Sequence, residues 1–299
     1  FAQDLVAKLR SPSLSSADEG ALPAFLGTDS LGRDLGARLL LAVRISLAVG
    51  GISVAIAAVV GTFLGLVAGY FGGVIDSIVM RVVDALLSLP FVVLAIAIVA
   101  AIGPGLINVA LVLGLTGWVT FAKLVRGEVL RIKQLPYVEA ARCIGARDHR
   151  IIFTHITPQV LGIVLVNITL TLGQMIIAEA TLSFLGLGVP PPTPTLGGIL
   201  SGAQETFFAA WWIVIFPGVV LMLLVLSVNI TGDFLRDYFD PRVNTDLLTI
   251  RKKKKVGKRG KLEKEVKKTK ERVDQLSNRI RTALKSDRED IAKKYAKRL

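Results

Sequence analysis

Few side chains in this sequence are placed to do covalent or metal chemistry. Cys143 is its one cysteine, so no two cysteines can pair within it. His149 and His155 lie six residues apart, which does not set them on one helical face as i, i+4 ligands would be. No Cys/His cluster has the spacing of a zinc or iron–sulfur site, so no metal ligands are assigned. No Gly-x-x-x-x-Gly-Lys-Ser/Thr phosphate loop occurs, so the chain is not expected to bind or hydrolyse ATP. The apolar runs hold no His/Glu cluster, Ser/Lys pair or Asp dyad, so no catalytic residues are assigned and the chain reads as a non-enzyme. One ionisable group stands apart. Glu179 lies deepest in an apolar run, where a charge is costly, so it is a candidate for lining a polar pathway or for bonding structurally across helices through neighbours such as Thr181 or Ser183.

The elements that must hold these residues are membrane helices. Apolar residues make up 52% of the 299, gathered in long uncharged runs. Leu39 to Phe71, Ala85 to Ile102, Leu106 to Val125, Val160 to Leu187 and Phe207 to Ile230 read as five spans. Backbone groups in hydrocarbon must pair internally, and runs without dyad alternation favour helices over barrel strands, so the expected fold is an all-α polytopic bundle. Gly61, Gly65 and Gly69 recur every four residues, a ridge that lets another helix approach closely. Pro90 and Pro217 are positioned to kink their spans.

Charge sets the direction. Residues 244–299 hold 21 of the 36 Lys/Arg and 8 of the 23 acidic residues, while the preceding part is balanced, so the net +13 resides in the tail. The tail and the basic stretch from Lys123 to Arg150 are expected to be cytoplasmic. Counting back places residues 1–38, Gly103 to Gly105 and Gly188 to Thr206 outside. An outside start without a signal peptide implies one further span upstream of Phe1.

Between the third and fourth spans, residues 136–158 run Glu139-Ala140-Ala141, three residues, Gly145, then an apolar and basic helix ending at Pro158. Ala140 and Ala141 are expected to make a slim face, Gly145 a sharp turn and Pro158 the start of the next helix. An alternative is an interfacial helix with Ile144, Ile151, Ile152 and Ile156 in lipid. The stretch resembles the cytoplasmic coupling loop of ABC-importer permeases. Leu26-Gly27-Thr28-Asp29-Ser30-Leu31-Gly32-Arg33-Asp34, with Arg38 and Arg44-Ile45-Ser46-Leu47, resembles a segment of the dipeptide, oligopeptide and nickel permeases. Leu182 to Val189 with Pro190 to Pro192 and Pro194, and Gly232-Asp233, Arg236-Asp237 and Asp240-Pro241-Arg242, are similar to the same family's outer turn and C-terminal close. The likeness runs from Phe25 to Arg242 and points to the second, C-type permease of the pair. Ala37, Ala42, Thr157 and Leu196 depart from the family's usual residues, and none is a charged or glycine position of the coupling stretch.

The resemblance implies a type I importer permease fold over residues 39–243 with its coupling helix at 136–158. It implies a multi-pass subunit in a bacterial or archaeal plasma membrane, carrying dipeptides or oligopeptides, with nickel or another small solute as the alternative. Implied partners are a second permease, two ATPase subunits that bind ATP and Mg, and an extracellular solute-binding protein; the chain itself would bind no cofactor. A self-contained secondary transporter is the rival reading, and no internal repeat supports it. The tail 244–299 is expected to be a basic cytoplasmic helix, with Leu262, Val266, Val273, Leu276 and Ile280 as its apolar stripe and membrane lipid as its contact; no nucleic-acid partner is expected.

Overall fold

The computed structural model describes residues 8–12 and 25–239 and, in the tail, 265, 267–272, 275 and 277. Those tail positions are helical and exposed. The five residues of the expected apolar stripe, Leu262, Val266, Val273, Leu276 and Ile280, lie outside the described residues.

The unit Phe1–Phe239 is all-helical among its described residues: α1 Leu35–Phe71, α2 Gly73–Leu87, α3 Phe91–Ile102, α4 Leu106–Ile132, α5 Pro136–Cys143, α6 Asp148–Ile151, α7 Thr157–Phe184, α8 Leu196–Gly202 and α9 Trp212–Phe239. A π-helical turn, Ile152–Ile156, joins α6 to α7. Among the described residues, four helical stretches are long and apolar enough to cross a membrane: α1, α4, the run from α6 through α7, and α9. Asp34 starts α1 by accepting hydrogen bonds from the Gly36 and Ala37 amides at 3.1 and 3.3 Å, which satisfies two of the amides a helix start leaves free. With 37 residues, α1 is about 55 Å long, well beyond the ~30 Å of hydrocarbon, so its ends reach the surfaces.

The expected span from Ala85 to Ile102 is broken at Pro90, where a kink is expected, and the break is sharper than a kink. The helix stops at Leu87, restarts at Phe91 and turns by 89° between the two pieces. Pro90 supplies no amide to continue α2, and its fixed φ caps the start of α3. With 12 residues, α3 reaches only about 18 Å, so it crosses only as one arm of the bent pair. The loop expected from Gly188 to Thr206 also contains α8, capped by Thr195 and pressed against α7 so closely that a Cβ on Gly197 would lie 1.9 Å from the Ala180 carbonyl oxygen.

The bundle is organised around α1 and α4. Lipid tails are as apolar as leucine, so helices in a bilayer associate through close packing rather than by leaving water. A Cβ on Gly61 would fall 2.4 Å from the Trp118 carbonyl oxygen, on Gly65 2.7 Å from that of Ala122, and on Gly69 2.8 Å from Cβ of Val129. From the other side, a Cβ on Gly114 would meet Cβ of Ile56 at 2.8 Å. Ser53 Oγ adds an interhelical bond to the Ala110 carbonyl at 3.1 Å. Leu40, Val59, Phe63 and Ile107 lie on the exposed surface, the apolar coat of a membrane bundle. Replacing Gly65 with Leu is expected to lower the thermal midpoint in detergent sharply, whereas Gly51→Leu, at a position with open space, should leave it nearly unchanged. Equal losses at both sites would contradict the ridge.

Candidate coupling segment and membrane carboxylate

The turn at Gly145 folds residues 136–158 back on the bundle. Ala146 N–H bonds the Ala141 carbonyl at 3.1 Å and Gly145 N–H bonds that of Arg142 at 2.9 Å, a Schellman close with Gly145 at φ 80°. A side chain at that φ costs about 1–2 kcal/mol. Beyond the turn, α6 runs through the π-helical turn into α7, with Pro158 in the first turn of that helix.

One face of the segment is built into the bundle. Val138, Ala141, Ile151 and Ile156 are buried in the same apolar core as Val129 and Ile132 of α4. Ile151 and Ile156 therefore do not rest in lipid, while Ile144 is 85% exposed and Phe153 70%. Successive helical residues point about 100° apart, so the two alanines do not share a face: Ala141 is inside and Ala140 outside, next to exposed Glu139. Glu139, Ala140 and Ile144 thus present a free surface with Gly145 at its corner, and Pro158 is exposed at the start of α7. Tyr137 accepts a hydrogen bond from Gln159 of α7 and its ring stands 6.2 Å from that of His155.

At the other end of the bundle, Asp29 is nearly buried and accepts from the Leu31 and Arg33 amides at 2.9 Å each, from Arg33 Nε at 2.8 Å and from Arg38 Nη1. Burial works against its charge, but these bonds outweigh burial and hold its carboxyl below the usual carboxylate range. A depressed native pKa stabilises the fold above the unfolded value of about 3.9 and is lost as pH falls below it. Acidification through that window is expected to loosen residues 28–38, read as increased amide exchange; an Asp29→Asn protein should show little pH dependence there.

Glu179 is fully buried between α1 and α7. Its Oε2 accepts from Ser46 Oγ at 2.7 Å and its Oε1 from Ser183 Oγ at 2.7 Å, while Thr181 turns instead to the Ile177 carbonyl. It lines neither of two nearby cavities. One cavity, of about 430 Å³, lies among Asp29, Arg33, Arg38, Ser183 and the 188–195 loop. The other, of about 520 Å³, is walled by the α2–α3 bend at Pro90, by Thr116 and Thr120 of α4, and by Thr171, Gln174 and Thr181 of α7, with no charged side chain in its lining. These neutral polar residues carry no signal that separates them from ordinary helix residues in a sequence. Glutamine at position 179 can satisfy both serines, so Glu179→Gln should retain thermal stability, whereas Glu179→Ala should lose about 1–3 kcal/mol by stranding them. A large loss in the glutamine protein would show that the charge itself is needed.

Over residues 61–245 the chain matches the family described as "Binding-protein-dependent transport system inner membrane component". The chain belongs to that family. It is 45% identical to the glutathione transport system permease protein GsiD of Pectobacterium atrosepticum, over 74% of this chain and 73% of that protein. It is 41% identical to the dipeptide transport system permease protein DppC of Alkalihalophilus pseudofirmus, over 74% and 73%. In fold it is similar to an inward-facing structure of the MetNI methionine ABC transporter, with a TM-score of 0.57 at 22% identity, covering 68% of this chain and 97% of that one. This inner membrane component is thus a multi-pass ABC-importer permease of the C type and not itself an ATPase. Membership implies ATPase and binding-protein partners.

Proposed function

We propose that this permease has the type I importer fold and carries short peptides, dipeptides and glutathione among them, inward as one half of a two-permease pathway. The observation that carries the coupling is the segment 136–158, fixed on its inner face by Val138, Ala141, Ile151 and Ile156 and free on the face of Glu139, Ala140 and Ile144. An exposed apolar side chain beside a carboxylate, held by a rigid corner, suits a groove on a soluble partner. The basic charge of Lys123 to Arg150 supports a cytoplasmic position for that face, where two ATPases, charged with ATP and Mg, would each receive one such segment, one from each permease. The solute-binding protein then meets the opposite end, near Asp29 and the 188–195 loop.

Glutathione is a short peptide, so the named relatives GsiD and DppC agree on solute class. Peptides differ in side-chain charge and share a backbone of amide donors and acceptors. A wall of Thr116, Thr120, Thr171, Gln174 and Thr181 offers hydroxyls and an amide without a fixed charge that would select one side chain. In this reading the neutral cavity forms this chain's part of the pathway, and Glu179, held by Ser46 and Ser183, joins α1 to α7 beside it.

The test is ATP-driven uptake of labelled dipeptide and glutathione into proteoliposomes holding both permeases and the ATPases, with binding protein outside. Uptake is expected with the native chain and a loss of tenfold or more in Gly145→Pro, which cannot adopt a positive φ. Transport of nickel but of neither peptide would overturn the solute assignment, and uptake unaffected in Gly145→Pro would overturn the coupling assignment.

A further inference from the structure

The geometry points to Tyr70 as the positioning residue that ties the coupling segment to α1, an inference that rests on the coupling role proposed for residues 136–158. Tyr70 is the penultimate residue of α1 and is 6% exposed, a member of the core that also holds Val138, Ala141, Ile151 and Val129. Its hydroxyl donates to Asp148 Oδ1 at 2.6 Å, and the Arg142 guanidinium lies over its ring, 5.4 Å from the centroid. Arg142 lies in the last turn of α5 and Asp148 begins α6, so one side chain grips both sides of the Gly145 turn.

Apolar contacts at Val138 and Ile151 attract without direction and allow sliding, whereas a hydrogen bond to a carboxylate and a cation over a ring fix position. The grip falls on a stiff part of the molecule. Lys133 Nζ donates to the Gly69 carbonyl at 3.2 Å, and Gly69 has no room for a Cβ against Val129, so the end of α1 cannot shift without α4. A push on α5–α6 from an ATPase is therefore passed at Tyr70 to the α1–α4 pair as a whole. At its far end α1 carries Arg38, bonded to Asp29 at the edge of the 430 Å³ cavity. Displacement at the coupling end thus has a direct mechanical line to the end where solute would be delivered.

The experiment compares the native complex with complexes carrying Tyr70→Phe, Asp148→Ala or both, reconstituted with the ATPases and binding protein. Phenylalanine keeps the ring, its packing and the Arg142 guanidinium over its face, and removes the hydroxyl with its bond to Asp148 and its polar contact with Arg142. Three readouts are taken: retention of ATPase subunits on pull-down, thermal midpoint, and the ratio of solute-stimulated to basal ATPase rate. Tyr70→Phe is expected to retain the ATPases and the midpoint while that ratio falls about tenfold, the factor a bond to a charged acceptor controls in an equilibrium. Asp148→Ala should lower the ratio as well, and the loss in the double variant should fall short of the sum of the two, since both remove the Tyr70–Asp148 bond. A ratio in Tyr70→Phe equal to the native one, with ATPases retained, overturns the role of Tyr70 and leaves the coupling segment standing. Failure of the native chain to recover ATPases overturns the coupling reading itself. A fall in midpoint paralleled by basal and stimulated rates alike would reduce Tyr70 to ordinary packing and also overturn the proposal.

Discussion

The rest of the structure depends on the absence of side chains at Gly61, Gly65 and Gly69. They bring α1 against α4 so closely that a single methyl group would strike the Trp118 or Ala122 carbonyl. In a bilayer this contact has no hydrophobic term to replace it, so the pair is held by dispersion over a long shared face and by bonds such as Ser53 to Ala110. Once the two helices are locked, the other elements have fixed places. The α2–α3 bend and α7 enclose the neutral cavity, Glu179 of α7 reaches Ser46 of α1, and the α4 end delivers the chain to α5 beside Tyr70.

That arrangement separates two tasks along one rigid pair. At one end, the Gly145 turn presents Glu139, Ala140 and Ile144 while Val138 and Ile151 anchor the segment. At the other, Asp29 gathers Arg33 and Arg38 at the base of α1 and fastens residues 28–38. A subunit that hydrolyses nothing must be moved by others, and movement is transmitted only by parts that do not deform. Close glycine packing and charged hydrogen bonds at both ends of a helix of about 55 Å meet that requirement.

The positions of most spans, the glycine ridge and the corner at Gly145 were legible because each rests on local chemistry: apolar length, small residues at helical spacing, and a residue that tolerates positive φ. Pro90 was visible as a kink, but its size was not, because the angle is set by how α3 packs on α4. The short α8 looks like loop in the sequence, since seven residues with three glycines show no periodic stripe and its place is set by contact with Ala180. Ala140 and Ala141 look like one slim face in the sequence, but helical rotation divides them. Gln174 and the threonines of the neutral cavity, and Tyr70 at the coupling turn, take their significance from neighbours far away in the chain, which spacing along a sequence does not encode.

Cys143 offers the most direct test, being the one cysteine in these 299 residues, exposed, and one turn from Glu139 on the free side of the segment. A photoactivated crosslinker attached to its thiol, in the complex assembled in native membranes with partner cysteines blocked, should join this chain to an ATPase subunit. It should do so with a yield that changes between nucleotide-free and ATP-bound states. Crosslinks to lipid alone, in either state, would contradict the account and leave residues 136–158 as a surface-lying connector.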